Sequence, residues 1–539
     1  MAHRGATARA EGQERISRTR AIQAAGVAVV LCAAPAQAQV ILMDGDDLQA
    51  AVTAAPSGTV IEIQSNDTFL GTLSWTGKDI TIQAGAGFTP TIKGDPGSGV
   101  VSLSNSSPPT VATFIDLSLV RGDDFLDPFT GQTITPSAFS FSGTSLNPEF
   151  IVATFTDCDV TGRISSSGTG MHRFTGTLTR TTIEGDVSLG GTGSLVQDVV
   201  MEECTIAGRL ILSGTGSLVV DADLLDSTVD MGVLVSTTGS AMDTLEVRRS
   251  RISGSVSASA ISSSSISLLV ESSLVLGGGS GTGISLSGTT VGRLVNNTVT
   301  GFNTGIQGTA GSTWENMLLY GNGGLDVGTG VTSVDIANSL ISDGSFAGVN
   351  GNFAATPVVD TGFGLLAGAP GVDAGNNAAA DLGPFDLNGT PRIQDGDGDG
   401  TATVNVGAVE TVGGLPASAT LVNGSGVNPV DYTVISLPVI GTSYSASIAT
   451  NVATVATVVG VDQPAPAPFL LPGLASGEIL LALSPALFLH PANGIHSIPV
   501  PNDPALIGIP LSTQGFRIEL TGIVPMALAL NGIDLVVGI

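Results

Sequence analysis

The sharpest chemistry in this chain lies in Asp395-Gly396-Asp397-Gly398-Asp399-Gly400. Carboxylates at alternate positions on a glycine-rich backbone suit Ca²⁺, a hard cation that takes several oxygens. Asp395, Asp397 and Asp399 are the candidate ligands. Their spacing matches the first half of a twelve-residue calcium loop. The second half is missing: the position of the bidentate glutamate holds Val406, and Glu410 lies four residues further on. The alternative, an acidic, solvated turn, is the preferred reading of this run. Asp221 and Asp223 are a second acidic pair able to hold a cation, with no basic residue marking a site around them.

The element that must position such groups is a repeat. Val160, Ile183, Ile206, Val229, Ile252 and Val275 are spaced 23 residues apart. A second apolar file runs Ile164, Val187, Leu210, Val233, Val256, and a third runs Leu178, Met201, Leu224, Val247, Val270. Gly-Thr-Gly recurs at Gly168, Gly191 and Gly214. A fixed period of this length means one supersecondary unit stacked on copies of itself. Inside the unit apolar residues alternate, as in Val187 and Leu189, which is strand periodicity. The unit is too short for a βαβ crossover. The expectation is an all-β chain, a parallel β-helix whose coils rise by roughly 4.8 Å.

Charged files share the register. Arg180, Glu203, Asp226 and Arg249 form one, Arg163, Asp186 and Arg209 another, Arg248 and Glu271 a third. Opposite charges on adjacent strands are expected to pair along each file, contributing roughly 0.2–1 kcal/mol each. Cys158 and Cys204 occupy one repeat position, 46 residues apart. Two coils separate them by roughly 9.6 Å, beyond the roughly 7 Å Cα limit of a disulfide. Two free, packed thiols are expected.

Residues 1–38 read as an export signal: five arginines, an apolar run from Ala24 to Ala34, then Ala36-Gln37-Ala38 before Gln39. The apolar run is too short to span a bilayer, and no later segment reads as transmembrane. Removing the signal takes the basic count from 18 to 13 and the acidic count from 46 to 44, a net charge of −31. Such a surface disfavours nucleic acid and anionic membrane. It also repels acidic polysaccharide unless a divalent cation intervenes.

After the signal, Asp46-Asp47-Leu48-Gln49-Ala50-Ala51-Val52 begins a short helix, capped by Asp46 or Asp47 and placed to cover the open end of the coil. Residues 122–150 break the repeat and read as an inserted loop. It carries Asp123, Asp124, Asp127 and Glu149 beside Phe125, Phe129, Phe139 and Phe141. Either the loop binds a ligand or its phenylalanines pin it to the coil, and the second reading is preferred. The β-helix is placed at 39–345, a closing segment at 346–411 and a separate antiparallel β-sandwich at 412–539.

Leu48-Gln49-Ala50-Ala51-Val52, Gly58-Thr59-Val60-Ile61, Ile80-Thr81-Ile82 and Thr91-Ile92-Lys93-Gly94, with the repeats, resemble the opening of pectin-lyase-like right-handed β-helix proteins. The resemblance implies a right-handed, single-stranded coil. It implies little about activity, because that superfamily holds lyases, hydrolases, adhesins and surface proteins without known chemistry. Gly368-Ala369-Pro370-Gly371-Val372-Asp373-Ala374-Gly375, Asp386-Leu387-Asn388-Gly389-Thr390-Pro391-Arg392 and Val406-Gly407-Ala408-Val409-Glu410 resemble the C-terminal signature of choice-of-anchor Q β-helix proteins. Here Asn405-Val406-Gly407-Ala408-Val409-Glu410 stands where that family commonly has Asp-Ile-Gly-Ala-Tyr-Glu.

Polygalacturonan hydrolases of the superfamily use a Gly-His-Gly and an Arg-Ile-Lys. None of His3, His172, His490 and His496 lies in the first, and the second is absent. A lyase needs a basic residue as proton acceptor and a cation against the substrate carboxylate. Beyond the signal the chain has two lysines, Lys78 and Lys93, and four arginines outside the charge files near its centre, Arg121, Arg173, Arg251 and Arg293. No catalytic constellation stands out. The leading expectation is an exported, extracellular or cell-surface β-helix protein that engages polysaccharide or another surface without evident catalysis. A polysaccharide lyase of the pectate-lyase type and a structural spacer are the alternatives.

Overall fold

The structure, a computed structural model, describes residues 38–539 apart from 105–107, 127–132, 144–148, 171, 195, 398–399, 412–416, 463, 470–473, 483–487, 493, 502–505, 507–508, 522–523 and 539. The expected export signal, but for Ala38, lies outside the described residues.

Most coils lay down one strand in each of three parallel sheets, of thirteen, twelve and ten strands among the described residues. The result is a right-handed parallel β-helix followed by antiparallel sheets. The apolar files fix the register. Val160 pairs with Ile183, Ile183 with Ile206, Ile206 with Val229, Val229 with Ile252 and Ile252 with Val275. Ile164, Val187, Leu210, Val233 and Val256 stack in the ten-strand sheet. Leu178, Met201, Leu224, Val247 and Val270 stack in the thirteen-strand sheet. All three files are buried and belong to one core. A one-residue slip would turn every file outward, so burial enforces the alignment.

The turn from the thirteen- to the twelve-strand sheet uses one left-handed residue per coil. Asp157, Arg180, Glu203, Asp226, Arg249, Ser272, Asn296, Asn316 and Asn338 all have φ between 46° and 55°. This is the charged file seen in the sequence. Left-handed backbone favours Asn and Asp, and the later coils use Asn. Asn316 Nδ2 donates to Asn296 Oδ1 at 3.0 Å. The glycine file marks close approach of coils: a Cβ on Gly185 would lie 2.6 Å from the Gly162 carbonyl carbon.

The ion pairs only partly follow the expected files. Arg249 pairs with Asp226 at 2.7 Å. Arg180, expected to meet Glu203, instead sends Nε and Nη2 down to Asp157. Both carboxylate oxygens of Asp157 match the guanidinium fork. Asp186 accepts the backbone amide of Arg209 at 2.9 Å. Arg248 lies 3.8 Å from Glu271 but 3.1 Å from Glu246 on its own strand.

The helix spans Leu48–Ala54, and Asp47 accepts the Ala50 amide at its N-terminus. Leu48, Val52 and Ala55 enter the core of the first coils. The expected insertion at 122–150 is shorter than read. Phe125–Leu126 and Thr133–Ile134 form a hairpin, but Phe139–Gly143 is a regular strand of the ten-strand sheet. Phe139 and Phe141 point inward and pack with Phe114, Phe155 and Phe174. Phe125 is 43% exposed, and Phe129 lies outside the described residues.

Residues 346–411 double back along the flank of the β-helix. Their Val406, Leu365 and Ala369 pack on Leu318 and Leu340. Ala408 and Val409 pack on Leu274. These three leucines occupy outward positions of the twelve-strand sheet that earlier coils fill with Thr182, Thr205 and Thr228.

Beyond 416, antiparallel sheets form a sandwich. Tyr432, Tyr444, Ala446 and Ile448 of one sheet pack against Val459, Leu530, Ile533 and Leu535 of the other.

Candidate functional site

Two features carry chemistry: an acidic cluster on the closing segment and the distribution of charge over the β-helix faces.

The cluster is Asp373, Asp395 and Asp397, each offering one carboxylate oxygen within 4.8 Å of the others. Asp399, the third ligand expected from the sequence, lies outside the described residues. Asp373 was missed because it is 22 residues upstream of Asp395. The fold brings the two turns together by hydrogen bonds. Gly396 and Asp397 donate their amides to the Asp373 carboxylate at 3.1 and 2.8 Å. Asp373 itself is left-handed at φ 52°, and its amide is held by Asn405 Oδ1 at 2.8 Å. Gly400 donates to Asp395 Oδ2 at 2.8 Å. Burial, then the nearby Asp397 and Asp395 charges, raise the Asp373 carboxyl above its ordinary range against the two amides that lower it. Three oxygens of this kind fit a hard cation. Ca²⁺ takes 6–8, so water or further carbonyls would complete the shell. Glu410 is not available to this cluster, because Arg392 holds it at 2.6 Å.

The basic residues considered for lyase chemistry are engaged in structure. Lys78 Nζ donates to the carbonyls of Thr53 and Ala55, at 2.7 and 2.9 Å, and so closes the helix C-terminus. Lys93 pairs with Asp123 at 2.9 Å, and Arg121 with Asp124. Arg173 lies 3.7 Å from Asp198, and Arg293 pairs with Asp381 at 2.6 Å. Arg251 donates to Asn388 at 3.4 Å. His496 is buried in the C-terminal sandwich, with Nε2 3.2 Å from the Tyr432 hydroxyl. A shallow hollow of about 290 Å³ beside Phe88 gathers Asp116, Asp157 and Asp159, but Arg180 already occupies Asp157.

Charge is segregated by face. The thirteen-strand sheet bears Glu62, Asp198, Glu202, Asp221, Asp223, Glu246 and Arg293, among others. Asp221 and Asp223, the second acidic pair of the sequence, stand on this face next to Asp198 and Glu246 respectively. The strands of the ten-strand sheet hold a single charged residue, Asp326, which is 1% exposed. Their outward positions form files of hydroxyls. Ser102, Ser140, Ser165 and Ser188 stack in one file, and Ser257 and Ser285 resume it. Ser213, Ser236, Ser259 and Ser287 form a second file, and Thr169, Thr192, Thr215 and Thr238 a third. Ile211 and Leu234 interrupt the first file with an apolar step. The sequence signal was present: Ser and Thr alternate with the second apolar file in every repeat.

Cys158 and Cys204 are free and buried, as expected. Burial pushes each thiol up to about 11.

No protein-family model matches the chain, and no curated protein matches it. Among solved structures it is similar to pectate lyase Pel9A, with a TM-score of 0.31 and 11% identity over 70% of this chain and 97% of that one. It is also similar to the tailspike protein of Acinetobacter phage vB_ApiP_P1, with a TM-score of 0.25 and 10% identity over 90% of this chain and 74% of that one. Among the described residues no helix is long and apolar enough to cross a membrane.

Proposed function

We propose that this chain is an exported, non-catalytic scaffold that engages a neutral polysaccharide along its ten-strand face. The observation that carries the reading is that face: register-locked hydroxyl files, free of exposed charge, on a chain of net charge −28. Serine and threonine hydroxyls both donate and accept, as sugar hydroxyls do. Each such bond contributes about 0.5–1.5 kcal/mol net, so useful affinity needs many in register, which a rigid stack of strands supplies. Ile211 and Leu234 offer an apolar step for the C–H face of a sugar ring. An acidic polymer would meet the repulsion of the whole chain.

The test is retention on insoluble neutral glucans and mannans, with soluble polygalacturonate as an acidic comparison, with and without Ca²⁺. Wild-type protein should be retained by a neutral polymer. The double substitution Ser213→Asp and Ser236→Asp should abolish retention, while Ser267→Asp on the thirteen-strand sheet should leave it unchanged. No retention on any neutral polymer, or release of unsaturated, ultraviolet-absorbing products from polygalacturonate, overturns the reading.

We also propose that the Asp373, Asp395 and Asp397 cluster takes Ca²⁺. The cation would tie the turn at 395–400 to Asp373 and stiffen the closing segment.

A further inference from the structure

A buried charged cluster joins the closing segment to the β-helix. Arg392 donates from Nη1 to Glu410 Oε1 at 2.6 Å. Its Nε and Nη2 donate to Ser272 Oγ at 3.1 and 2.8 Å, and Nη2 also reaches the Ala408 carbonyl at 2.9 Å. Ser272 donates its own hydroxyl to Glu271 Oε1. Glu271 and Ser272 belong to the coil, Arg392 and Glu410 to the closing segment. The chain Glu410–Arg392–Ser272–Glu271 therefore crosses the junction.

The charges in this cluster do not balance when every carboxylate is ionised. The side chains of Arg392, Glu410 and Glu271 are 1%, 0% and 0% exposed. One guanidinium faces two carboxylates. The neighbouring groups do not make up the difference. Arg248 reaches Glu271 only at 3.8 Å and sits closer to Glu246, while Arg249 is held by Asp226. Behind Glu410, Asp386 accepts the amides of Asn388, Thr390 and Glu410 at 2.7–2.8 Å, and adds a further negative charge. Gly383 packs so closely on the Glu271 carboxyl that a Cβ there would fall 2.6 Å from Oε1. An uncompensated buried charge is costly, and a single proton relieves it.

We propose that the closing segment is a proton-dependent strap: it lies seated on the β-helix flank with a proton bound to the Glu271–Glu410 pair, and its hold on the flank weakens as that proton is lost on approaching neutral pH. The direction of the titration agrees. Burial raises Glu410 to about 7 against the pull of Arg392, and burial likewise raises Glu271. The two carboxylates titrate as a pair. A carboxyl raised in the seated state favours seating below its ordinary range, near pH 4.5. That contribution fades as pH rises and is gone above about 7. Between those limits the seating equilibrium should weaken by roughly two orders of magnitude. Unseating would uncover Leu274, Leu318 and Leu340, apolar positions in a file whose other members are polar, Arg251 and Thr298 among them. The inference is independent of polysaccharide binding.

Hydrogen exchange of the full chain from about pH 5 to 9, corrected for the chemical exchange rate, tests it. The amides of Gly407 and Ala408 bond to the Asn316 carbonyl and the Thr298 hydroxyl of the coil and so report on seating. Their protection should fall by roughly 100-fold across that range, while amides of the coils between 160 and 276 keep theirs. Glu410→Gln carries the neutral form permanently. It should flatten the profile to within about threefold with the strap still seated, and Glu271→Gln should do so in part. Strap protection that is flat with pH in the wild type overturns the proposal whether or not the variants fold. So does a wild-type decline that both variants reproduce unchanged.

Discussion

The buried Ser250 hydroxyl accepts the backbone amide of Ser227, one coil away, at 3.2 Å. The contact repeats along the stack. Cys204 donates its amide to Ser227 Oγ at 3.0 Å, Ser250 to Ser273 Oγ at 3.1 Å, and Ser273 to Asn297 Oδ1 at 2.9 Å. This file follows the left-handed turn residues, where the chain leaves one sheet for the next. Its hydroxyls satisfy turn amides that lie outside the strand ladders. Ser250→Ala should therefore destabilise the protein by about 1–3 kcal/mol, the cost of an unsatisfied buried amide. Ser263→Ala, at an exposed position, should stay within about 0.5 kcal/mol. Denaturant unfolding of both variants decides it, and equal midpoints would show that the Ser227 amide finds another partner.

Cys158 and Cys204 should be invisible to a thiol reagent in the folded protein. Both are buried, and a thiol raised to about 11 is almost wholly protonated at neutral pH. Protein lacking residues 1–38, and with them Cys32, should show no fast reaction at pH 8 and two reactive thiols after unfolding. Rapid labelling of the native protein would mean that the coils at 158 and 204 open locally.

Arg180 holds the Asp157 carboxyl below the usual carboxylate range, chiefly by hydrogen bonding. A depressed carboxyl contributes stability above its unfolded value, near pH 4, and loses it as pH falls through the folded one. Both partners are exposed, so the effect is small and screened by salt. Arg180→Gln should lower the melting temperature slightly at pH 7 and low salt, and not at about pH 2. An equal difference at both pH values would show that Arg180 acts through packing alone.

Calcium should raise the melting temperature of protein first stripped with chelator. Asp373→Asn should remove most of that rise, since it takes one ligand charge from the cluster. Calorimetric titration gives the affinity directly. Identical titrations for wild type and variant would exclude Asp373 as a ligand.

The candidate cation site was half legible. Asp395 and Asp397 announce themselves by alternation with glycine. Asp373 does not, because what brings it near is a pair of amide-to-carboxylate bonds between turns distant in sequence. The hydroxyl face was present in each repeat as Ser and Thr alternating with apolar residues, yet its freedom from charge emerges only when ten strands are assembled side by side. Phe139 and Phe141 were misread as loop residues because the short hairpin before them breaks the period and hides the resumption of the strand.

By itself the sequence determined the coil. Ile183 and Ile206 meet because a side chain one residue out of register would face water, and burial of every file penalises that slip at every level of the stack. Tertiary structure alone decided where the ends of long side chains go and what covers the flank. An arginine at 180 has an acid on either side, Glu203 in one adjacent coil and Asp157 in the other, and the fold turns it to Asp157. Arg392 meets Ser272 across 120 residues of chain, a contact that no local period encodes.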